Sequence, residues 1–567
     1  MAFDKYTAFE PMAKNKLGWF LILLVLIQTT GFGQTEKYLV LLRDKANSPY
    51  SVGKPDQFLS TRSIQRRQKQ NIAVQERDLP VNPAYVTQLQ QAGAKIWFSS
   101  RWLNAVLVEA NEATISVVKA LPFVKGLEFN RALNKNQSAS EPRINSTRTR
   151  SATTGASAVD PPLNYGISVD QITQIGVDKM QQQGYHGEGI LIGLLDAGFL
   201  NADKVSFLKP VFDEKRVLAT YDFVNKEASV YEDDSHGLEV LSTIAATVDK
   251  QLYGTAYKAS FILLRTEDAP TEKQLEEANW LFGAEYADSA GVDIISSSLG
   301  YTQFDDASAS YTYQNLDGKT ALSTRAAQIA TETGIVVVVA AGNDGSSAWR
   351  YLSAPSDAAS VLAIGAVTQA GQRASFSSLG PSADGRVKPD LAARGQGDVV
   401  GKPNGTIGLE NGTSIATPLV AGLAAGFWQA FPQLTATQVT DILRRSGSQS
   451  SSPTNELGYG IPTFERASTI ATSGTPLATD PGSMPLLFFP NPFSDLTPLS
   501  VQLEGINANT SVDASLADLA GRILWQKQYT IVNLTTLTLP NLGLSAGVYI
   551  LTIVVGDQKR MLKVVKQ

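Results

Sequence analysis

The chain has 567 residues, too many for a single hydrophobic core, and 43% are apolar against 18% charged, the balance of a folded protein of about three or four units. A formal net charge of -5 is small for this size and gives no electrostatic case for nucleic acid as a partner. There is no cysteine, which excludes disulfide frameworks, thiol nucleophiles and cysteine-held zinc together.

Lys14 and Lys16 precede an apolar run from Leu17 to Ile27, which ends in Thr29, Thr30, Gly31 and Gly33. That is the layout of a secretory signal peptide over residues 1–33, cut near Gly33-Gln34, and Met12 is an alternative start. A membrane anchor is the competing reading, but the run is about half the roughly 20 residues a spanning helix needs.

Residues 36–131 read as a small α+β domain. Strands are expected at Lys37–Arg43, Lys95–Phe98, Ala105–Ala110 and Gly126–Phe129, with helices at Tyr85–Ala92 and Glu112–Ala120. The basic cluster Arg62, Arg66, Arg67 and Lys69 reads as a solvated helix face. Residues 132–159, which include Arg143, Arg148 and Arg150, are rich in Ser, Thr, Asn and Arg, and predict an exposed linker.

From 160 to 472 short apolar strands alternate with helices. Strands are expected at Ile190–Leu195, Phe261–Leu264, Val292–Ser296, Ile335–Ala340 and Val361–Ala366, with helices at Glu272–Ser289 and Lys319–Thr333. Such alternation implies an α/β, doubly wound parallel sheet, whose chemistry sits beyond the carboxyl ends of its strands. Asp196, Ser298 and Asn343 all fall just past such ends. Beyond a hinge at 472–483, residues 485–567 alternate as strands without helix signals, and predict a compact β-sandwich.

Asp196 ends the strand-like run and is followed by Ala197-Gly198, so it is either a turn cap or a presented carboxylate. His236 is one of two histidines and opens an apolar helical run, so it is either a surface cap or a base. His186, in a glycine-flanked turn, reads as structural. Ser414, in Gly412-Thr413-Ser414-Ile415-Ala416-Thr417-Pro418, starts a small-residue helix, where the hydroxyl, the N–H and the helix dipole meet at one point. A serine needs a base, and an imidazole base needs a carboxylate to fix its tautomer. The amide of Asn343 emerges from a buried strand as a candidate donor to a tetrahedral oxyanion. Glu232, Asp233 and Asp234 could bind calcium, although their spacing lacks a recognised loop and a solvated turn fits as well.

Leu195-Asp196-Ala197-Gly198, His236-Gly237, Ser298-Leu299-Gly300, Ala340-Ala341-Gly342-Asn343 and the serine motif, in that order, resemble the subtilisin-like serine peptidases over about 300 residues. The resemblance implies Ser414 as nucleophile, His236 as base then acid, Asp196 as its orienting partner, and Asn343 with the Ser414 N–H as oxyanion hole. Ser298, Leu299 and Gly300 would bind substrate by strand addition. It implies no required cofactor and no catalytic metal. The departures are Ala197 where Thr or Ser is usual, Glu239 for a second histidine, Arg394 for proline and Leu419 for histidine. Losing the hydroxyl beside Asp196 weakens that carboxylate's support.

The unit at 36–131 is placed and sized like this family's inhibitory propeptide. Phe489-Pro490-Asn491-Pro492-Phe493, Asp518-Leu519-Ala520-Gly521-Arg522, Leu544-Ser545-Ala546-Gly547-Val548-Tyr549 and a basic end resemble the C-terminal sorting domain of type IX secretion in Bacteroidetes. The expected partners are protein or peptide substrates, the chain's own propeptide and the secretion machinery. The expected location is outside the cell or on its outer surface, after export to the periplasm. The competing readings are a catalytically impaired surface-binding module and an esterase; the serine motif is not the Gly-x-Ser-x-Gly elbow of the latter.

Overall fold

The computed structural model describes residues 34–135, 163–473 and most of 486–566. The expected signal peptide, the linker arginines and most of the hinge lie outside the described residues.

Strands β1 (Glu36–Leu42), β2 (Lys95–Ser100), β3 (Ala105–Ala110) and β4 (Val124–Leu127) form an antiparallel sheet in the order β2-β3-β1-β4. Helix α1 (Thr61–Lys69) lies in the long connection after β1, whereas α2 (Pro83–Gln91) and α3 (Glu112–Lys119) belong to the α+β body. Alternation along β1 divides the sheet. Tyr38, Val40 and Leu42 join the unit's own core, while Leu39 packs with residues of the central domain. Glu128–Asn130 forms a helical turn where the sequence predicts the end of a strand. Ala132 and Leu133 are buried, so the exposed linker does not begin at 132.

The central domain is a seven-stranded parallel sheet. In chain order its strands are β5 (Leu191–Asp196), β6 (Val217–Asp222), β7 (Ser260–Arg265), β8 (Ile294–Ser297), β9 (Val336–Ala340), β10 (Leu362–Val367) and β11 (Leu391–Arg394). Their spatial order is β11-β10-β9-β8-β5-β7-β6. The chain leaves β5 toward one edge and returns at β8 to build the other, so the boundary between β5 and β8 is a topological switch point.

Both faces are covered. Helices α4 (His236–Ala245) and, after a short hairpin of β12 (Gln396–Gly401) and β13 (Ile407–Asn411), α7 (Thr413–Ala430) pack on Ile192, Leu194, Val336 and Val338. Helices α5 (Leu275–Ala290) and α6 (Leu322–Glu332) pack on Leu191, Leu195, Val337 and Val339. This two-sided burial is why the strands read as unbroken apolar runs. Helices α8 (Ala436–Arg445) and α9 (Phe464–Thr472) complete the first layer.

The C-terminal region is a sandwich of two antiparallel sheets. One holds β14 (Leu486–Phe489), β15 (Ser500–Leu503) and β18 (Thr536–Thr538); the other holds β16 (Ser511–Ala517), β17 (Ile523–Thr530), β19 (Gly547–Val555) and β20 (Gln558–Lys566). Val501 and Leu537 of one sheet share a core with Val512, Leu516 and Leu551 of the other. Asp518 and Arg522 close the turn from β16 to β17, with the Arg522 N–H donating to the Asp518 carboxylate at 3.0 Å.

The basic cluster is a correction. Arg66 and Arg67 are buried, not solvated, and with Arg101 they converge on Asp288 of α5, which is itself buried. Arg67 meets Asp288 at 2.9 Å and Asp78 at 3.1 Å, and Arg62 pairs with Asp293. Sequence-local charge counting cannot see a partner contributed 222 residues later. Nearby, Glu285 accepts from the N–H groups of Arg101 and Trp102 at 2.9 and 3.2 Å, and from the Ser100 hydroxyl at 2.5 Å. The N-terminal unit is therefore anchored on α5 by buried charge as well as by apolar packing.

Candidate active site

Asp196 is the last residue of β5 and is 1% exposed. Its Oδ1 accepts the Ala197 N–H at 2.8 Å and faces the Nδ1 of His236 at 2.7 Å. With the carboxylate accepting, Nδ1 carries the proton and Nε2 is left as the basic nitrogen. The other oxygen, Oδ2, is buried and has no hydrogen-bond partner among the described residues, and Ala197 beside it carries no hydroxyl to offer. Arg265, at the end of β7, holds the adjoining turn: its Nε donates to the Ala197 carbonyl at 3.1 Å and its Nη1 to Asp222 at 2.8 Å.

His236 is the first residue of α4, and its N–H is capped by Asp234 Oδ1 at 2.7 Å. Gly237 is required by close approach, because a Cβ there would stand 2.4 Å from the Gly198 carbonyl oxygen and 2.9 Å from the Asp196 Cβ. The imidazole is pushed up to about 9. Burial acts downward, but the charge of Asp196, its hydrogen bond, and the charges of Asp234 and Glu239 outweigh it.

Ser414 is the second residue of α7 and is 8% exposed. A Cβ on Gly422 in the same helix would lie 1.8 Å from the Thr255 hydroxyl, so the small-residue run does let α7 pass closely behind the site. The N–H and hydroxyl of Thr413 both donate to Asn343 Oδ1, at 2.8 and 3.0 Å. With its oxygen committed, exposed Asn343 has amide donors that no hydrogen bond among the described residues engages, and Nδ2 sits 3.7 Å from where a Gly412 Cβ would be. The Ser298 hydroxyl donates to the Ser414 carbonyl at 2.7 Å, tying the segment after β8 to the start of α7. Helices α4 and α7 pack against each other, with Asp196 below one N-terminus and Asn343 below the other. Among the described contacts, no hydrogen bond joins the imidazole to the Ser414 hydroxyl.

The structure thus brings Asp196 and His236 into contact, and links Asn343 and Ser298 to residues 413 and 414. It does not join Glu232, Asp233 and Asp234 into one site. Glu232 accepts from Ser229 and Tyr231, Asp233 pairs with Arg265 at 3.2 Å, and Asp234 caps α4. Among the described residues no group of three or more metal-ligating side chains is placed to hold an ion. His186 lies beside Glu188 and Tyr257, away from this edge. Of the departures, Glu239 pairs with Lys402 at 3.1 Å, Arg394 lies 3.2 Å from both Asp170 and Asp398, and Leu419 is core.

Arg265 and Glu267 belong to the site's surroundings and were not read from the sequence; the charges that end the apolar run of β7 were the available signal. Glu267 accepts from the Tyr301 hydroxyl at 2.5 Å and is pushed up to about 7, by burial first and then by the charges of Asp196 and Glu277.

The subtilase family description matches residues 187–460, a Bacteroidota propeptide domain of the same peptidase class matches 37–145, and a secretion-system C-terminal sorting domain matches 487–567. The chain is 30% identical over 364 residues to subtilisin NAT of Bacillus subtilis subsp. natto, covering 64% of this chain and 80% of that protein. It is 34% identical over 288 residues to a subtilisin of Bacillus pumilus, covering 50% and 91% respectively. With subtilisin BL of Lederbergia lenta it shares 28% over 297 residues, 52% of this chain and 97% of that one. The chain belongs to the subtilase family. It is a serine endopeptidase made as a precursor, with a propeptide as intramolecular inhibitor and a sorting domain that marks it for secretion or cell-surface attachment.

Proposed function

We propose that peptide bonds are cleaved through a charge-assisted triad of Asp196, His236 and Ser414. Ser414 Oγ attacks the scissile carbonyl and His236 Nε2 takes its proton. The imidazolium, stabilised by Asp196, then protonates the leaving amine, and water, activated by the same base, releases the acyl group. Asn343 Nδ2 and the Ser414 N–H receive the oxyanion. Ser298, Leu299 and Gly300 hold the substrate backbone in extended form. The Asp196–His236 contact of 2.7 Å, at the same sheet edge as the N-terminus of α7, carries this reading. Catalytic hydrogen bonds tighten in the Michaelis complex, and the imidazole–hydroxyl bond forms there in this scheme.

Chemistry of this kind needs no cofactor. We assign residues 1–33 to the signal peptide, 36–133 to the propeptide, the part of 132–159 beyond Leu133 to the linker cut on activation, 160–472 to the catalytic domain and 485–567 to the sorting domain. The burial of Ala132 and Leu133 favours a cut beyond them. Export runs through the periplasm and then across the outer membrane, with the sorting domain removed on the way. Labelling of the processed protein by a fluorophosphonate tests the mechanism. Labelling lost in Ser414→Ala supports it, and equal labelling of both proteins refutes it in favour of an impaired surface-binding module.

A further inference from the structure

The hairpin of β12 and β13 is the approach to the nucleophile. Glu410 and Asn411 close β13, and only Gly412 and Thr413 separate them from Ser414 at the start of α7. His236 stands on a different element, α4. The spacing of base and nucleophile therefore depends in part on how the hairpin is held against α4.

Two kinds of contact hold it there. The Ser242 hydroxyl, which donates to the Glu239 carbonyl at 2.6 Å, accepts the Gly401 N–H at 2.8 Å. The other contact is ionic. Glu239 lies one turn beyond His236 on the same face of α4, and its carboxylate meets Lys402 Nζ at 3.1 Å. The same ammonium pairs with Glu410 on β13. In the hairpin Val400 is paired with Gly408 and Asp398 with Glu410, and the stem of Lys402 runs back past Gly408, where a Cβ would lie 3.0 Å from its Cε. The side chains of Glu239 and Lys402 are 13% and 12% exposed, and that of Glu410 is 33% exposed. One largely buried cation thus stands between two carboxylates, one from the element that carries the base and one from the strand that leads to the nucleophile.

We propose that Lys402 is a positioning residue, an ionic clip that draws Glu239 and Glu410 together and so fixes the Ser414 hydroxyl relative to the His236 imidazole. The assignment rests on the roles proposed above for His236 and Ser414. Without the ammonium, two carboxylates face each other in a partly desolvated gap, and their repulsion pushes the hairpin off α4. A misplacement of about 1 Å at reacting groups costs on the order of 100-fold in rate. The clip also bears on the base. The charges that face the imidazole are Asp196 on β5, Asp234 before α4 and Glu239 on α4 itself. Those that face Glu239 are Lys402, Glu410 and His236, and burial holds its carboxyl above the ordinary range, with Glu410 adding to the effect and Lys402 and His236 opposing it. Asp398, the cross-strand neighbour of Glu410, pairs instead with Arg394 at 3.2 Å. Lys402 therefore attenuates the one carboxylate on α4 that supports the imidazolium.

The test is the pH profile of kcat and KM on a peptide substrate for the processed enzyme and its Lys402→Met, Lys402→Arg and Glu239→Gln variants, with the double variant Lys402→Met and Glu239→Gln, each first titrated with a fluorophosphonate. Loss of the ammonium in Lys402→Met lowers kcat by about 10- to 100-fold with little change in KM. Lys402→Arg keeps most of the wild-type rate, and the double variant recovers much of the loss because the opposed charges are no longer both present. The limb that reports His236 moves toward alkali in Lys402→Met and toward acid in Glu239→Gln, a pair of opposite shifts that a purely structural residue does not produce. A Lys402→Met enzyme with wild-type kcat overturns the clip, as does a double variant as slow as Lys402→Met with the limb unmoved. If Lys402→Met yields no processed protein, Glu239→Gln decides: a limb moved toward acid supports the proposal, and an unmoved limb overturns it. Each of these results leaves the triad standing, whereas a wild-type enzyme that takes no label overturns the triad and the clip with it.

Discussion

Replacing Asp288 with alanine removes the point on which three propeptide arginines converge. The carboxylate is buried, Arg67 approaches it at 2.9 Å, and Arg66 and Arg101 also pair with it. Burial alone would raise its pKa, but the charges of Arg101, Arg67 and Arg66 outweigh burial and hold it below the ordinary carboxylate range. Taking one partner from a buried pair costs about 3–5 kcal/mol, because the other charge stays desolvated without compensation. At about 1.4 kcal/mol per decade, that weakens the hold of the cleaved propeptide by roughly 100- to 4000-fold. The assay is the inhibition constant of the separated propeptide against the processed enzyme on a peptide substrate, with kcat/KM of the free variant as control. The comparison is Lys95→Ala, whose ammonium is 67% exposed in its pair with Glu109 and whose loss costs less than about 1 kcal/mol. An Asp288→Ala enzyme inhibited within threefold of wild type would refute the claim that buried charge holds the propeptide. Because the folded pKa is depressed, this contribution is present in full above the ordinary carboxylate pKa. It is lost only as the pH falls through the lowered value, so mild acid does not loosen the propeptide through Asp288.

Three further outcomes are expected. His236 is pushed up to about 9 and must be neutral to act as base, so kcat/KM rises with pH through about 9. In Asp196→Asn the limb moves toward acid while kcat falls by about 10⁴, and a wild-type limb already complete by pH 7 contradicts the coupling. Asn343→Leu lowers kcat by about 10²–10³ with little change in KM, a magnitude carried over from removal of the same kind of donor in a subtilisin. Ala197→Ser offers a donor to the unpartnered Asp196 Oδ2, and a hydrogen bond to a charged group is worth about 1.5–3 kcal/mol, so kcat rises, by up to roughly tenfold if part of that energy is expressed in the transition state. A variant no faster than wild type would mean that the bare oxygen costs the enzyme nothing.

What could be read from the sequence depended on how local each signal was. The five motifs and the central strands were legible because the parallel sheet is buried on both faces, so its strands are apolar runs bounded by turns. β6 was not, since only its last residue is buried and its side chains do not alternate cleanly. Helix α8 has a local signal at its start, Thr435 with Gln438 in a capping box. The arginines of α1 are a different case, because solvated and buried guanidinium groups look alike until Asp288 is placed between them. Asp196 joins the two kinds of information. Alanine at 197 announced a weakly supported carboxylate, but only the fold shows that one oxygen is fully engaged with His236 while the other faces no donor. The departure from the family pattern thus leaves the orienting bond intact. Its effect falls on how firmly Asp196 is held, which is why the hydroxyl missing at 197 is expected to change rate rather than mechanism.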